Sequence, residues 1–292
     1  MRRFSLAAGL SSLMIGAIVP ATHAYTPYLP PVNDKQFAQD AALLMEEARQ
    51  LAQIPQQREL AILRAKLATQ LAPRDPDAWA ILGGIYLLNN QAATGIPSLE
   101  KAKTLAPKEP AIWFRLGNAY FQNKEYPKSI ATLQTGLKLK PNTIGAMFDL
   151  GNAYFLNGNT DAAIGQYEAA FAQDKTFWFP LNNIGLIRYQ QGNIEEAIKL
   201  WRTCIGIDGK EAEPKLALAA ALFKQGNRFQ GIRLASDAMK NDLRYSEAQF
   251  MRDNLWSEEL IADAVKVLSH PIVQAAIIKA QNAAIEQTPP LP

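Results

Sequence analysis

"LGNAYF" occupies Leu116–Phe121 and returns unchanged at Leu150–Phe155, 34 residues further on. Self-similarity at a fixed interval of about 20 to 50 residues marks stacked copies of one structural unit. The register extends outward in both directions. One step back stand Leu82, Gly83 and Tyr86; one step forward stand Ile184, Gly185 and Arg188, and then Leu218, Ala219 and Leu222. Three residues ahead of these positions lie Trp79, Trp113, Met147 and Leu181. The second half of each unit repeats as well. Small residues recur at Gly95, Ser129, Ala163, Ala197 and Gly231, and large apolar ones follow at Leu99, Leu133, Tyr167 and Trp201. Ala102, Gly136, Ala170, Cys204 and Ala238 come next, and Pro107 and Pro141 close the two best copies.

Within a unit the apolar residues follow i, i+3, i+4, i+7, which is a helical period. Polar breaks such as "QNKEY" (Gln122–Tyr126) and "NGNT" (Asn157–Thr160) divide each unit into two helices. A glycine inside a helix costs about 1 kcal/mol relative to alanine. Here it is expected to let the two helices of a hairpin approach closely, facing the small residue at Ala163 or Ala197. These glycines are not a nucleotide loop, since neither GxGxxG nor a Gly-rich stretch ending in Lys-Ser/Thr occurs.

The pattern of Trp, Leu-Gly, Tyr, Ala, an aromatic, Ala and Pro resembles the tetratricopeptide repeat. The resemblance covers five units over residues 76–245 and fades in the last, where Lys215 stands for the tryptophan and Leu243 for the proline. Ala61, Ala65, Ala68 and Pro73 fall in the same register, so residues 34–75 read as a degenerate N-terminal repeat. The fold implied is all-α, a right-handed superhelix of stacked antiparallel helix hairpins with one continuous core. Residues 246–287 read as a C-terminal helical cap, begun at Ser257, whose hydroxyl suits an N-cap, and 288–292 as a tail.

The composition, 48% hydrophobic and 20% charged over 292 residues, is that of an ordinary globular chain. Formal charge is +3, and +1 without Arg2 and Arg3, with no basic stripe interleaved with aromatics, so nucleic acid is not indicated. The lysines of "KAKTLAPK" (Lys101–Lys108) read as a solvated helix face favoured by the helix dipole. Cys204 is the single cysteine, which excludes an internal disulfide; at a small position of its repeat it reads as a packed thiol. His23 and His270 belong to no cluster with metal-ligand spacing and to no Ser/His/Asp order. No catalytic residue, metal or cofactor is expected.

At the amino terminus Arg2-Arg3 precede an apolar run, Leu6–Val19, and small residues at Thr22 and Ala24. Residues 1–24 therefore read as a secretory signal peptide cut after Ala24, or as an uncleaved membrane anchor, because a run counted from Phe4 to Ala24 approaches the roughly 20 residues a spanning helix needs. Residues 25–33, "YTPYLPPVN", form a Pro-rich spacer. The protein is expected to be exported or membrane-associated, at a thylakoid, plasma membrane or periplasm.

In the family that the repeats resemble, the first helix of each unit lines a concave face. That resemblance places Phe114, Asn118, Phe121, Phe148, Asn152 and Phe155 in a peptide-binding groove. Phe179, Asn182 and Tyr189 follow, with Leu87 and Leu88 on the N-terminal side and Leu216 and Phe223 beyond. The asparagine amides, donor and acceptor at once, suit a ligand backbone, and the phenylalanines offer apolar area. Replacing such exposed asparagines is expected to move stability by no more than about 0.5 kcal/mol. Chaperone-binding members clamp a carboxylate with lysine and arginine. Phe114 and Phe148 stand where lysine would, which argues against that role.

The whole chain is similar to cyanobacterial repeat proteins that assist thylakoid biogenesis, which implies binding to protochlorophyllide oxidoreductase and a part in chlorophyll synthesis or photosystem assembly. The positive-inside tendency for Arg2-Arg3 would place the repeats across the membrane from a cytosolic enzyme. A Gram-negative envelope adaptor tethering cell-wall or outer-membrane machinery is the other reading.

Overall fold

The computed structural model describes residues 34–286, and among them every regular element is helical. The expected signal or anchor (1–24), the spacer (25–33) and the tail (288–292) lie outside the described residues. The first hairpin is α1 (Asp34–Ala52) and α2 (Arg58–Leu71), joined through a 3-10 turn at Pro55–Gln57. Five hairpins follow: α3 (Pro76–Leu88) with α4 (Ala92–Leu105), α5 (Pro110–Gln122) with α6 (Tyr126–Leu139), α7 (Ile144–Leu156) with α8 (Thr160–Gln173), α9 (Phe179–Gln190) with α10 (Ile194–Ile207), and α11 (Ala212–Lys224) with α12 (Arg228–Asn241). Each helix packs on its sequence neighbours, and α1, α3, α5 and α7 also touch in succession along one face. This is the all-helical solenoid of stacked hairpins.

Local chemistry starts and stops each helix. Pro76 and Pro110 open α3 and α5 behind Asp75 and Glu109, whose carboxylates accept from the amides of Asp77 and Ala111. The repeated tryptophan fixes the entry. Trp79 Nε1–H donates to the Pro73 carbonyl at 3.0 Å, and Trp113 to that of Pro107 at 2.8 Å. Between the helices of a hairpin one residue takes a left-handed φ at the same 34-residue interval: Asn90, Lys124, Gly158, Gly192 and Gly226.

The helical glycine meets the small residue of its partner helix in the second hairpin, where a Cβ on Gly95 would fall 2.9 Å from the Gly83 carbonyl oxygen, and it also receives a large side chain. A Cβ on Gly117 would sit 2.5 Å from Leu133 Cγ, and one on Gly151 would sit 2.5 Å from Tyr167 Cε1. Gly83 meets Leu99 and Gly185 meets Trp201 in the same way. The glycine is thus also a hole for the large knob of its partner helix, a contact that the small-on-small expectation did not include. The sixth hairpin keeps the volume balance by changing both sides: Ala219 replaces the glycine and Ala235 the knob, and both are fully buried.

After α12 the chain leaves the register. A 3-10 turn, Leu243–Ser246, leads to α13 (Ala248–Asp253), α14 (Glu258–Leu268) and α15 (Pro271–Glu286). Ser257 caps α14, its Oγ accepting from the Leu260 amide at 3.3 Å. The segment does more than close the stack. α15 folds back on α12, while α14 packs on α11 and reaches α9, so it lies over the face those helices would otherwise present to a partner.

Candidate peptide-binding cleft

A cleft of ≈ 710 Å³ opens where the first-helix face of α5, α7 and α9 meets the segment after α12. Its floor carries Phe121, Phe148, Asn152, Phe179 and Asn183; its far wall carries Asp242, Arg244, Tyr245, Phe250, Asp253 and Asn254. Phe148 is the hub of the aromatic floor. Its ring lies 5.5 Å from Phe177 and 6.2 Å from Phe179, both edge-on, and 5.7 Å from Tyr167. Trp178 stacks on Phe179 at 4.0 Å, holding that partly exposed ring in place. Edge-on and offset aromatic pairs each add about 0.5–1.5 kcal/mol beyond burial, so the floor is preformed.

A polar ladder ties the first helices together beneath it. Asn152 Oδ1 accepts from Tyr167 OH at 2.6 Å and from Asn183 Nδ2 at 3.0 Å. One step earlier Asn118 donates to Asp149, across the same 31-residue offset. Burial pushes the Asp149 carboxyl up to about 6 against that donation. The amides expected to meet a ligand backbone are therefore largely committed to the fold, and Asn118 does not line the cleft. Of Asn152, the Nδ2 group is what a ligand can use.

Two buried carboxylates fasten the C-terminal segment. Glu213, at the start of α11, accepts from Trp256 Nε1 at 3.0 Å and from Tyr245 and Asn182, and burial pushes its carboxyl up. Asp263 on α14 accepts from Tyr189 OH at 2.7 Å and pairs with Lys224 at 2.9 Å and Lys266 at 2.7 Å. Burial alone would raise Asp263, but these three donors outweigh it and hold it below the usual carboxylate range. Lys224 also bridges to Glu259 and sits over the Tyr189 ring.

These contacts correct several sequence expectations. Tyr189 and Asn182 are buried under the C-terminal segment and are not open to a partner, and Leu216 is buried with them. Leu87 packs into the core between the second and third hairpins, with Leu99 and Leu116. Phe114 fills the space over Gly136, and Phe155 packs toward the core around Ile187. The cleft gathers Phe121, Phe148, Asn152 and Phe179, and adds residues the sequence reading missed: Asn183, Glu213, Asp242, Tyr245 and Phe250.

The rim is acidic. Glu211, Asp242 and Asp253 face Lys210 and Arg244, and Arg244 is spent on Asp242 at 2.6 Å. Glu211 is raised by burial and then by repulsion from Asp208 and Asp242, so negative potential remains uncompensated there.

Residues 117–158 match the family profile described as "TPR repeat", and residues 148–212 match the one described as "Tetratricopeptide repeat". No curated protein matches the chain. Among solved structures, MamA is similar at 26% identity and a TM-score of 0.50, over 53% of this chain and 90% of MamA. PilF of Pseudomonas aeruginosa aligns at 13% identity with a TM-score of 0.60, over 75% of this chain and 99% of PilF. YrrB, described as a TPR protein with an unusual peptide-binding site, aligns at 20% identity and 0.51, over 63% and 96%. PilF and YrrB are likenesses of fold. The matched tetratricopeptide units include α7 to α10, so the family profile spans much of the cleft floor but none of the wall that the C-terminal segment builds.

The missing signal for that wall was in the sequence. "LALAAALF" (Leu216–Phe223) is apolar on every side, and a helix apolar all round is a buried one.

Proposed function

We propose that the protein is a non-catalytic scaffold that is exported or membrane-associated and holds a segment of a partner protein during assembly of a membrane complex. The observation that carries this reading is the preformed aromatic cleft between α5, α7 and α9 and the segment after α12, large enough for a few side chains and lined by three phenylalanine rings of the repeats. An apolar side chain of the partner lodges on Phe148 and Phe179, and Asn152 Nδ2 donates to its backbone. A basic residue alongside meets Glu211 and Asp253. The fold class supports protein binding, as tetratricopeptide arrays in general serve as interaction scaffolds.

Protochlorophyllide oxidoreductase as the occupant, and the Gram-negative envelope adaptor as the other setting, rest on the look of the chain; the matched relatives add nothing to either. A photoreactive residue in place of Phe121, in native membranes, tests the reading. A discrete adduct, identified by mass spectrometry and lost with Phe148→Asp, is the expected result. Adducts that ignore Phe148→Asp would overturn the cleft as the site.

A further inference from the structure

One face of α2 departs from the pattern of every later hairpin. Leu60, Leu63 and Leu67 are 43%, 61% and 41% exposed. Their i, i+3, i+7 spacing sets them in one stripe on the side of α2 opposite the buried Ala61, Ala65 and Ala68. At the same register the next hairpins carry Thr94, Pro97 and Lys101, then Lys128, Ala131 and Thr135, then Ala162, Gly165 and Ala169. Glu196, Lys199 and Thr203 follow, and then Gln230, Arg233 and Asp237. No other unit places a large apolar side chain at any of these positions, so the repeat fold does not require the leucines. Ile54, 45% exposed, extends the patch along a groove of ≈ 400 Å³ between α1 and α2. Arg64 and Lys66 flank the stripe on either side. Arg64 lies 3.3 Å from Glu47 and Lys66 lies over the Tyr86 ring, and both remain at the surface.

We propose that this stripe is a lipid-contact surface, with α2 lying along an anionic bilayer, Leu60, Leu63 and Leu67 turned toward the acyl chains and Arg64 and Lys66 among the headgroup phosphates. A helix with a leucine face flanked by cations is built for that boundary, its long basic side chains reaching out to the phosphates. The course of the chain selects lipid over other occupants. The apolar run Leu6–Val19 ends 15 residues before α1 begins, a stretch that spans at most about 50 Å even when fully extended. A run held in a bilayer therefore keeps the first hairpin within that distance of the membrane. Among the described residues no single helix is long and apolar enough to cross a membrane, and one bent pair, Glu258–Leu268 with Pro271–Ala283 at 86°, has the length and composition only when taken together. The inference rests on the membrane-associated reading above.

The full chain carrying Gln70→Cys tests it. Gln70 is exposed one turn beyond Leu67, and the native Cys204 is buried with its thiol pushed up to about 12, so an environment-sensitive label goes to position 70. Vesicles of phosphatidylcholine, with and without phosphatidylglycerol, carry a quencher on their acyl chains. The expected result is quenching of the label that is stronger on anionic vesicles and is lost when Leu60, Leu63 and Leu67 are all changed to glutamine, with helicity and Tm unchanged. A chain that pellets with the vesicles without quenching overturns the proposal and leaves the membrane-associated reading standing. Quenching that survives the triple change overturns it too, as does a vesicle-free dimer that the triple change abolishes, which would assign the stripe to a second copy. A chain that pellets with no vesicle overturns both readings.

Discussion

α5 and α7 share a register with α9 and α11, yet they meet solvent differently. In α5 only Ile112, Leu116, Gly117 and Ala119 are buried, one stripe of the helix, and α7 repeats this with Ala146, Leu150, Gly151 and Ala153. In α11 ten of thirteen residues are buried, and in α9 nine of twelve. The positions that decide it are few. Asn118 and Asn152 become Leu186 and Ala220, and Phe114 and Phe148 become Asn182 and Leu216. Leu186, Leu216 and Ala220 make the outer face apolar and it must be covered, with Asn182 paired to the buried Glu213, and α14 covers it. The same fold thus has an open half that can receive a partner and a closed half that has received its own chain. The cleft lies at the seam.

Breaking the closed half should have the largest effect. Leu260 of α14 is fully buried, and Leu260→Ala should cost about 3 kcal/mol. Urea unfolding should show the loss, and amide exchange should rise in α9 and α11 before it rises in α5.

Two aspartates sharpen the comparison through pH. Asp263, held low by its donors, stabilises the closed half above the unfolded carboxylate pKa, and that contribution is lost as pH falls through its own lower value. Asp263→Ala leaves Tyr189 without its acceptor and the part-exposed Lys224 with Glu259 alone, and should cost about 2 kcal/mol at neutral pH, discounted for the solvent reaching Lys224. Asp149, in the open half, has the opposite sign. Its carboxyl titrates at about 6, so its penalty is complete above that value and is relieved as pH falls toward 4. Asp149→Asn should stabilise the protein by about 2 kcal/mol at pH near 7.5, with the gain vanishing in acid. Thermal melts of both variants across pH decide this.

Asn152→Ala is the smallest of the set. The sequence alone suggested no more than about 0.5 kcal/mol, as for an exposed residue. Tyr167 OH and Asn183 Nδ2 would lose a shared acceptor, and the cost becomes about 1 to 2 kcal/mol. A melt within experimental error of the parent would show that the ladder contributes nothing.

The array was legible because its constraints are local and repeated. Trp113, Gly117, Tyr120 and Pro107 each answer to a neighbour within the same unit or the next, so spacing alone exposes them. The cleft was half legible. Phe121, Phe148, Asn152 and Phe179 follow from the register, but Asn118 and Asn152 look solvent-facing only if one helix is considered at a time; their partners Asp149 and Asn183 stand 31 residues away on the next first helix. Tyr189 was misread because its partner, Asp263, lies 74 residues along the chain in a segment outside the register, and no periodicity links them. The apolar circumference of Leu216–Phe223 was the one sign that a cover existed.

Hydrogen exchange with and without the captured partner tests the open-and-closed account most directly. The account predicts that binding slows amides in α5, α7 and the start of α9 and in residues 241–255 around the cleft, while α11 and the end of α9, already slow beneath α14, do not change. Slowing confined to α9 and α11, with α14 exchanging faster in the complex, would show that the partner displaces α14 and that the closed half is the binding face.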